Sequence, residues 1–213
     1  MLIEMSLKDY ILEAASGNPT PGGGSVSALA GSLGAALTQM VGNLTFDKKS
    51  YAELDDETKN RLQKNFTILK DKMNILSDIV DEDSNAFDDV LVAFKMPKDT
   101  EDEKNLRTSA IQAGYKHALE VPLKCAEECL SILKLQLVFA KYGNVNAITD
   151  VGVGALLGHS GLEGALLNVK INLLSIKDQD YKLEIDQKMG AILEEASRLK
   201  EEILKIVYER LSE

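Results

Sequence analysis

Residues 57–96 read ETKNRLQKNFTILKDKMNILSDIVDEDSNAFDDVLVAFKM, and apolar side chains recur through them at steps of four and three. This spacing is typical of a helix that is packed along its whole length. We therefore predict one very long helix from Glu57 to Met96, ended by Pro97. The positions on its stripe are Leu62, Phe66, Leu69, Met73, Leu76, Val80, Asp83, Phe87, Val90 and Phe94.

Asp83 is the only polar residue on this stripe. An unpaired carboxylate is costly to bury, so such a group pairs with a neighbour, takes up a proton or serves a functional site. A structural pairing and a functional role both fit the pattern at this point.

Before this stretch, Ser6 is a candidate N-cap for a short first helix, which Gly17 ends. Residues 18–25, NPTPGGGS, contain two prolines and three glycines, which predict a loop. After the stretch, a capping box at Thr100 begins a helix to Gly143, with a kink or a new first turn at Pro122.

A last amphipathic helix is predicted over residues 180–211, and no segment has the alternation of a strand. The predicted fold is all-α: residues 1–213 form a single-domain bundle of about six mostly long antiparallel helices.

Two predicted helices, residues 25–44 and 152–176, are rich in glycine, alanine and serine. Small residues allow neighbouring helices to approach closely. We expect such helices to suit an interface between subunits, and therefore a homodimer.

Composition narrows the classes of function. The chain carries 24 Lys+Arg against 34 Asp+Glu, a net charge of -10, which argues against non-specific nucleic-acid binding. Charged and amide side chains interrupt residues 152–176, so no membrane span is expected. The N-terminus has no apolar signal core, and we expect a cytoplasmic protein.

The glycine-rich segments do not match known nucleotide motifs. Residues 21–25 lack the Lys-Ser/Thr ending of a P-loop, and residues 152–154 lack the third glycine of a dinucleotide fingerprint. Both segments precede or begin helices, where free N–H groups favour anionic or carbonyl ligands. Gly22, Gly23, Gly24 and Ser25 are therefore candidate ligand contacts, although tight turning and close packing also explain such glycines.

No metal or nucleophile site is indicated. Cys125 and Cys129 are four residues apart on one predicted helix, and we expect them to be buried thiols. His117 is expected at the surface or in an interface, and His159 in the core or in an interface, since neither has further ligands at metal spacing.

Asn168 and Asn172 lie four residues apart on an otherwise apolar helix. Buried amides need partners, so this pair either joins a neighbouring helix or holds a polar ligand. Alternation of helix direction would group this pair with Asp83 and residues 22–25 at one end of the bundle. Asn144 and Asp150 would then lie at the other end, and a second subunit would have to bring them to the same site.

Several short motifs, in order along nearly the whole chain, resemble the cyclodeaminase/cyclohydrolase family of folate enzymes. They are Pro19-Thr20-Pro21-Gly22-Gly23-Gly24, Asn43-Leu44-Thr45 with Lys48-Lys49 and Tyr51, Asp83-x-x-Ala86-Phe87, Met96-Pro97-Lys98, Val121-Pro122, Gly143-Asn144, Thr149-Asp150 and Asn168-Val169-x-Ile171-Asn172.

The resemblance implies a dimeric, all-helical enzyme that acts on tetrahydrofolate carrying a one-carbon unit. Two reactions are known in such proteins: hydrolysis of 5,10-methenyltetrahydrofolate to the 10-formyl form, and closure of the 5-formimino form with loss of ammonia. The chain begins at the cyclodeaminase-like unit, without the formiminotransferase domain fused to some members, which favours the cyclohydrolase. Neither reaction changes an oxidation state, so no metal or redox cofactor is expected.

The resemblance also implies residue roles. Asp83 would be the general acid/base, because a carboxyl of raised pKa in a water-poor pocket suits proton transfer at nitrogen. Asn168 and Asn172 would bind the pterin or orient Asp83, and residues 22–25 would bind a polar edge or carboxylate. Lys48 and Lys49 would meet the glutamate tail, although solvated surface lysines also fit the sequence. Asn144 and Asp150 are further candidate substrate contacts.

A non-catalytic oligomeric helical bundle is the competing class. Under that hypothesis, Asp83 would be a structural group, and its substitution by asparagine would change nothing measurable in a folded dimer.

Overall fold

The computed structural model describes residues 1–212, which form helices and no strand. Five helices are long and three are short, and 3-10 turns occupy Leu2–Glu4 and Val145–Ala147. The all-α prediction is confirmed. The helices are α1 (Leu7–Ala14), α2 (Gly23–Phe46), α3 (Lys49–Ala52), α4 (Asp56–Asn85), α5 (Asp88–Phe94), α6 (Glu101–Tyr142), α7 (Ile148–Leu174) and α8 (Gln179–Leu211).

The prediction of one helix over residues 57–96 is wrong in its second half. Helix α4 ends at Asn85, a turn at residues 86–87 follows, and α5 begins at Asp88. Because the turn changes the helical phase, Phe87 and Phe94 are exposed, whereas Val90 and Ala93 are buried against α6. Up to Val80, the stripe is buried or half-buried as predicted.

Two predicted helix starts are confirmed by their caps. Ser6 Oγ accepts from the Asp9 N–H at 3.1 Å and begins α1. Thr100 Oγ1 accepts from the Glu103 N–H at 3.2 Å, while Glu103 Oε2 accepts from the Thr100 N–H at 2.9 Å. Each such cap satisfies N–H groups that the helix itself leaves free.

Helix α6 is a single helix of 42 residues, with Pro122 buried inside it. The predicted alternative of a new first turn at Pro122 is therefore wrong. Proline has no N–H for the carbonyl of residue 118, so one helical hydrogen bond is missing there.

The small residues of α2 and α7 pack against each other in antiparallel directions. A Cβ at Gly34 would lie 2.6 Å from the Gly154 carbonyl oxygen, and one at Gly161 would lie 2.6 Å from that of Ser27. These distances are shorter than a carbon atom can tolerate, so glycine is required for this approach. The glycines at these positions thus make a contact within the chain, and the expected interface between subunits through the two helices stays a prediction.

The buried core draws on α2, α4, α6, α7 and α8. Cys125 and Cys129 lie in it as buried free thiols, as predicted. Within residues 1–212, no helix is both long and apolar enough to cross a membrane.

Paired glycine substitutions test the α2–α7 contact. Gly34→Ala should lower the free energy of unfolding by about 1–3 kcal/mol, because the new methyl group overpacks a backbone contact. Gly190→Ala in α8, where no atom lies within 4 Å of the new Cβ, should raise it by up to about 1 kcal/mol. Urea unfolding measures both, and a stabilised Gly34→Ala would contradict the packing.

Candidate active site

Asp83 lies in the last turn of α4, with its carboxylate against the first turn of α2. Its Oδ2 accepts from the Ser25 N–H at 2.9 Å and lies 3.3 Å from Ser25 Oγ, which is also 2.8 Å from the Val80 carbonyl oxygen. A side chain at Gly24 would overlap the carboxylate. The glycine run therefore makes room for Asp83 at a helix N-terminus, where negative charge is favoured.

Burial raises the pKa of Asp83 above its ordinary value of 3.8, and the two hydrogen bonds from Ser25 oppose that rise in pKa. Desolvation is the larger effect, so the neutral acid is easier to form here than on an exposed aspartate. A buried carboxyl group of raised pKa is suited to general acid–base chemistry.

A cavity of about 580 Å³ opens in front of Asp83, and we call it the acidic cavity. Its charged lining residues are Asp83 and Asp88, and its lining contains no lysine, arginine or histidine. A cationic group is therefore favoured in it. The lining residues are Pro19, Thr20, Gly22, Gly23, Asp83, Ser84, Ala86, Phe87, Asp88, Leu91, Ala118, Asn168, Ile171 and Asn172.

The two asparagines predicted as a pair both line the acidic cavity, and both use their amide nitrogen on a backbone carbonyl. Nδ2 of Asn168 donates to the Gly164 oxygen at 2.9 Å, and Nδ2 of Asn172 donates to the Ala118 oxygen at 3.3 Å. Since a carbonyl only accepts, these contacts fix which end of each amide is the oxygen. Each Oδ1 atom is then the group that can accept a hydrogen bond from a ligand.

Aromatic and aliphatic side chains form one wall of the acidic cavity. The ring of Phe87 meets that of Tyr115 edge to face at 5.8 Å, which supports Phe87 from α6. Leu91 and Ile171 extend the wall, and both are substantially exposed. A flat, partly apolar ring system can pack against such a surface.

Tyr10 is buried beside this site, and sequence reasoning did not single it out. Within residues 1–212 its hydroxyl has no hydrogen-bond partner. Burial raises the pKa of Tyr10, and the charges of Asp83 and then Asp81 raise it further. The hydroxyl therefore stays protonated and contributes no negative charge near Asp83.

A second cavity, of about 460 Å³, lies at the other end of α2, and we call it the basic cavity. Helix α2 has 24 residues, so the two cavities are about 35 Å apart. Lys49 and Asn144 line it, together with Lys48, Lys141 and Arg210. The Arg210 guanidinium donates to the Ala140 and Gly143 oxygens at 2.7 and 2.8 Å and holds the end of α6.

The structure brings together five of the residues predicted for the site: Gly22, Gly23, Asp83, Asn168 and Asn172 line the acidic cavity. Gly24 and Ser25 lie behind Asp83, where the Ser25 N–H donates to the Asp83 carboxylate. Lys49 and Asn144 lie in the basic cavity, and Asp150, in the first turn of α7, lines neither cavity.

Sequence reasoning did not single out Asp88 or Leu91 for the site. Their position depends on the turn at residues 86–87, which the regular stripe did not indicate.

The two histidines lie in environments that were predicted for them. His159 is buried, with Nε2 3.2 Å from Ser197 Oγ, and His117 is exposed, with Nδ1 2.9 Å from Asp89 Oδ2. Among residues 1–212, no three His, Cys, Asp or Glu side chains cluster as metal ligands.

The raised pKa of Asp83 predicts a pH-dependent stability difference. The native state binds this proton more tightly than the unfolded state, so the resulting stabilisation is complete below pH 3.8 and is lost as pH rises through the native pKa. The Asp83→Asn variant lacks this titration. The difference between its free energy of unfolding and that of the wild type should therefore shift in favour of the variant as pH rises from about 4 to about 8.

Chemical denaturation across that range measures this difference. Asp78→Asn, an exposed change on the same helix, is the matched control. A difference between Asp83→Asn and wild type that is constant with pH, or that shrinks as pH rises, would contradict a raised pKa at Asp83.

Comparisons with known proteins agree with the motifs. The family model described as formiminotransferase-cyclodeaminase matches residues 6–191. A methenyltetrahydrofolate cyclohydrolase from Methylorubrum extorquens is 36% identical over 207 residues, covering 97% of this chain and 98% of that protein. The formimidoyltransferase-cyclodeaminase of Rattus norvegicus is 36% identical over 195 residues, covering 92% of this chain and 35% of the rat protein.

The fold is likewise similar to that of a solved protein. The crystal structure of formiminotetrahydrofolate cyclodeaminase from Thermotoga maritima superposes with a TM-score of 0.78 at 27% identity, covering 100% of this chain and 98% of that one. On this family match and these identities, the chain belongs to the formiminotransferase-cyclodeaminase family.

Proposed function

We propose that this protein is an enzyme of one-carbon folate metabolism that hydrolyses 5,10-methenyltetrahydrofolate to 10-formyltetrahydrofolate. The observation that carries the proposal is Asp83, a carboxyl group of raised pKa held at a helix N-terminus inside a cavity with no basic lining residue. The near full-length similarity to a methenyltetrahydrofolate cyclohydrolase supports the choice of reaction.

In this proposal Asp83 is the general acid/base. As a carboxylate it accepts a proton from the water that attacks the carbon between N5 and N10. The neutral tetrahedral carbon then loses its bond to N5, and protonated Asp83 donates the proton to N5 as it leaves. The hydroxyl on that carbon becomes the formyl carbonyl, and its proton goes to solvent, so one water is consumed and one proton released.

The charge of the acidic cavity suits this reaction. The methenyl bridge is a cation shared between two nitrogens, and Asp83 and Asp88 are the charged groups that line the cavity. Their attraction for the bridge is lost when it opens, because the 10-formyl product has a neutral pterin. The substrate is therefore favoured over the product.

Asn168 and Asn172 are proposed to bind the pterin ring. With each Nδ2 held by a backbone carbonyl, each Oδ1 can accept from the ring N–H or amino groups. Neither amide hydrogen-bonds to Asp83, so orientation of Asp83 belongs to Ser25 in this proposal. Gly22 and Gly23 let the ligand approach the backbone closely.

The second candidate reaction is cyclisation of 5-formiminotetrahydrofolate with release of ammonia. The protein from Thermotoga maritima, similar over the full chain, carries the name of that activity. The formimino group is also cationic near neutral pH, and the same Asp83 would move the proton to the departing nitrogen. Neither reaction changes an oxidation state, so we propose no metal or redox cofactor for either.

We also propose that the protein is a homodimer formed through the outer faces of α2 and α7. Both helices expose apolar side chains at helical spacing. Soluble monomers rarely expose a contiguous apolar face of this kind. The exposed residues are Val26, Leu33, Met40 and Leu44 on α2, and Val153, Leu156, Leu167, Ile171 and Leu174 on α7.

A two-fold, antiparallel pairing of these faces would bring the basic cavity of one subunit towards the acidic cavity of the other. Ile171 belongs to both the apolar stripe and the acidic cavity, so the proposed interface reaches the rim of the site. Lys49 of one subunit would then meet the glutamate tail of a folate held by the other, with Asn144 and Asp150 nearby. Opposite charges at the two ends favour this orientation.

The proposal treats residues 1–213 as one catalytic domain, and it places the protein in the cytoplasm, where folate substrates would reach it. The substrate is the small-molecule partner, and no nucleic-acid or membrane partner is proposed.

Turnover by an Asp83→Asn variant tests the proposed chemistry. The variant should lose about 100-fold or more in kcat, because general acid–base catalysis contributes that much, while fold and oligomeric state stay unchanged. The assay follows the ultraviolet band of the methenyl bridge, with 5,10-methenyltetrahydrofolate and 5-formiminotetrahydrofolate supplied separately.

Decay of the band identifies the cyclohydrolase, and its formation from the formimino substrate identifies the cyclodeaminase. Asp78→Asn, exposed on the same helix, should keep full activity. A wild-type protein that changes the band in neither assay, or an Asp83→Asn variant with wild-type turnover, would support the competing hypothesis of a non-catalytic bundle.

Charge substitutions on the apolar face test the dimer. Leu33→Glu and Leu156→Glu should produce monomers in sedimentation velocity, because each places a carboxylate in the proposed interface. Leu106→Glu, at a more exposed position on α6, should leave the dimer intact. If the partner subunit completes the site, the monomers should also lose turnover; a monomeric wild type would refute the proposed dimer.

A further inference from the structure

Pro122 leaves one carbonyl of α6 without its helical partner. In an α-helix the N–H of residue 122 would donate to the carbonyl of residue 118, and proline has no N–H. The Ala118 oxygen accepts instead from Nδ2 of Asn172, 3.3 Å away on α7. Ala118 and Asn172 both line the acidic cavity.

We propose that Pro122 is a positioning residue for substrate binding, acting through the Ala118 carbonyl on the side chain of Asn172. This inference rests on the proposed function, in which Asn172 binds the pterin. The proline ring crowds the carbonyl four residues earlier and turns it away from the helix axis. The freed carbonyl then holds the amide nitrogen of Asn172 and leaves Oδ1 as the acceptor for the ligand.

The amide nitrogens of Asn168 and Asn172 are anchored on different helices. Nδ2 of Asn168 donates to Gly164, four residues earlier on its own helix, so its anchor moves with it. The anchor of Asn172 belongs to a different helix, and the contact therefore links α7 to α6 at the cavity. Pro122 controls that contact without touching the ligand, since it does not line the cavity.

The alternative is that Pro122 serves packing alone, because its ring is buried in α6. A packing role and a positioning role differ in one respect. Packing acts on the cavity whether or not Asn172 is present, whereas positioning acts only through the Asn172 side chain. A double-mutant cycle separates these two cases.

The cycle uses Pro122→Ala, Asn172→Ala and the double variant of the full chain, with KM for 5,10-methenyltetrahydrofolate as the main readout. Pro122→Ala removes the ring that turns the Ala118 carbonyl outwards and restores the helical N–H, so the carbonyl moves back towards the helix axis and away from Asn172. KM should then rise roughly fivefold, the worth of one net hydrogen bond. In the Asn172→Ala background the same change should leave KM unaltered. Hydrogen exchange should show a protected amide at residue 122, as expected for a helical bond to Ala118.

Two results would overturn the inference while the proposed function stands: an unchanged KM in Pro122→Ala, or an equal rise in KM with and without Asn172. Circular dichroism and urea unfolding identify a variant that is misfolded, and Asn172→Gln, which keeps the amide, should restore part of the effect of Asn172→Ala. A wild-type protein without turnover of either folate would overturn the proposed function, and this inference with it.

Discussion

The contact between the Asp83 carboxylate and the first turn of α2 is the constraint on which the site depends. It joins the end of α4 to the start of α2, and it exists because Gly24 has no side chain where the carboxylate lies. The helix N-terminus and the Ser25 hydrogen bond favour the charged form, while burial favours the neutral acid and raises the pKa of Asp83. The two effects oppose each other on one carboxyl group, and desolvation is the larger of them.

Close packing of α2 on α7 places the rest of the cavity around this carboxyl group. Glycines at the contact bring the two backbones together, so Asn168 reaches the N-terminus of α2 and its Nδ2 comes within 3.2 Å of the Cβ position at Gly23. The same packing turns the apolar outer faces of both helices to solvent. One set of small residues therefore builds the site within the chain and exposes the surface that we propose as the interface between two chains.

Two interruptions of helical regularity complete the cavity. The turn at residues 86–87 lets Phe87, Asp88 and Leu91 line it, although the stripe would have continued as helix. Pro122 removes a hydrogen bond inside α6 and leaves the Ala118 carbonyl for Asn172. Both interruptions cost local helical stability, and each places a polar group or a ring at the cavity wall.

The sequence by itself determined the all-α class, most helix ends, and the identity of Asp83, Asn168 and Asn172 as anomalies in apolar stripes, because periodicity and capping are local signals. Only the tertiary structure decided what these residues meet. Ser25 was predicted as a ligand contact, and the structure shows that it holds Asp83. The basic cavity, with Lys49 and Asn144, lies about 35 Å from the acidic cavity. Asp88 lines the acidic cavity because of a turn for which the sequence has no local signal. Those facts depend on how helices pack, and packing is fixed by contacts between residues far apart in the chain.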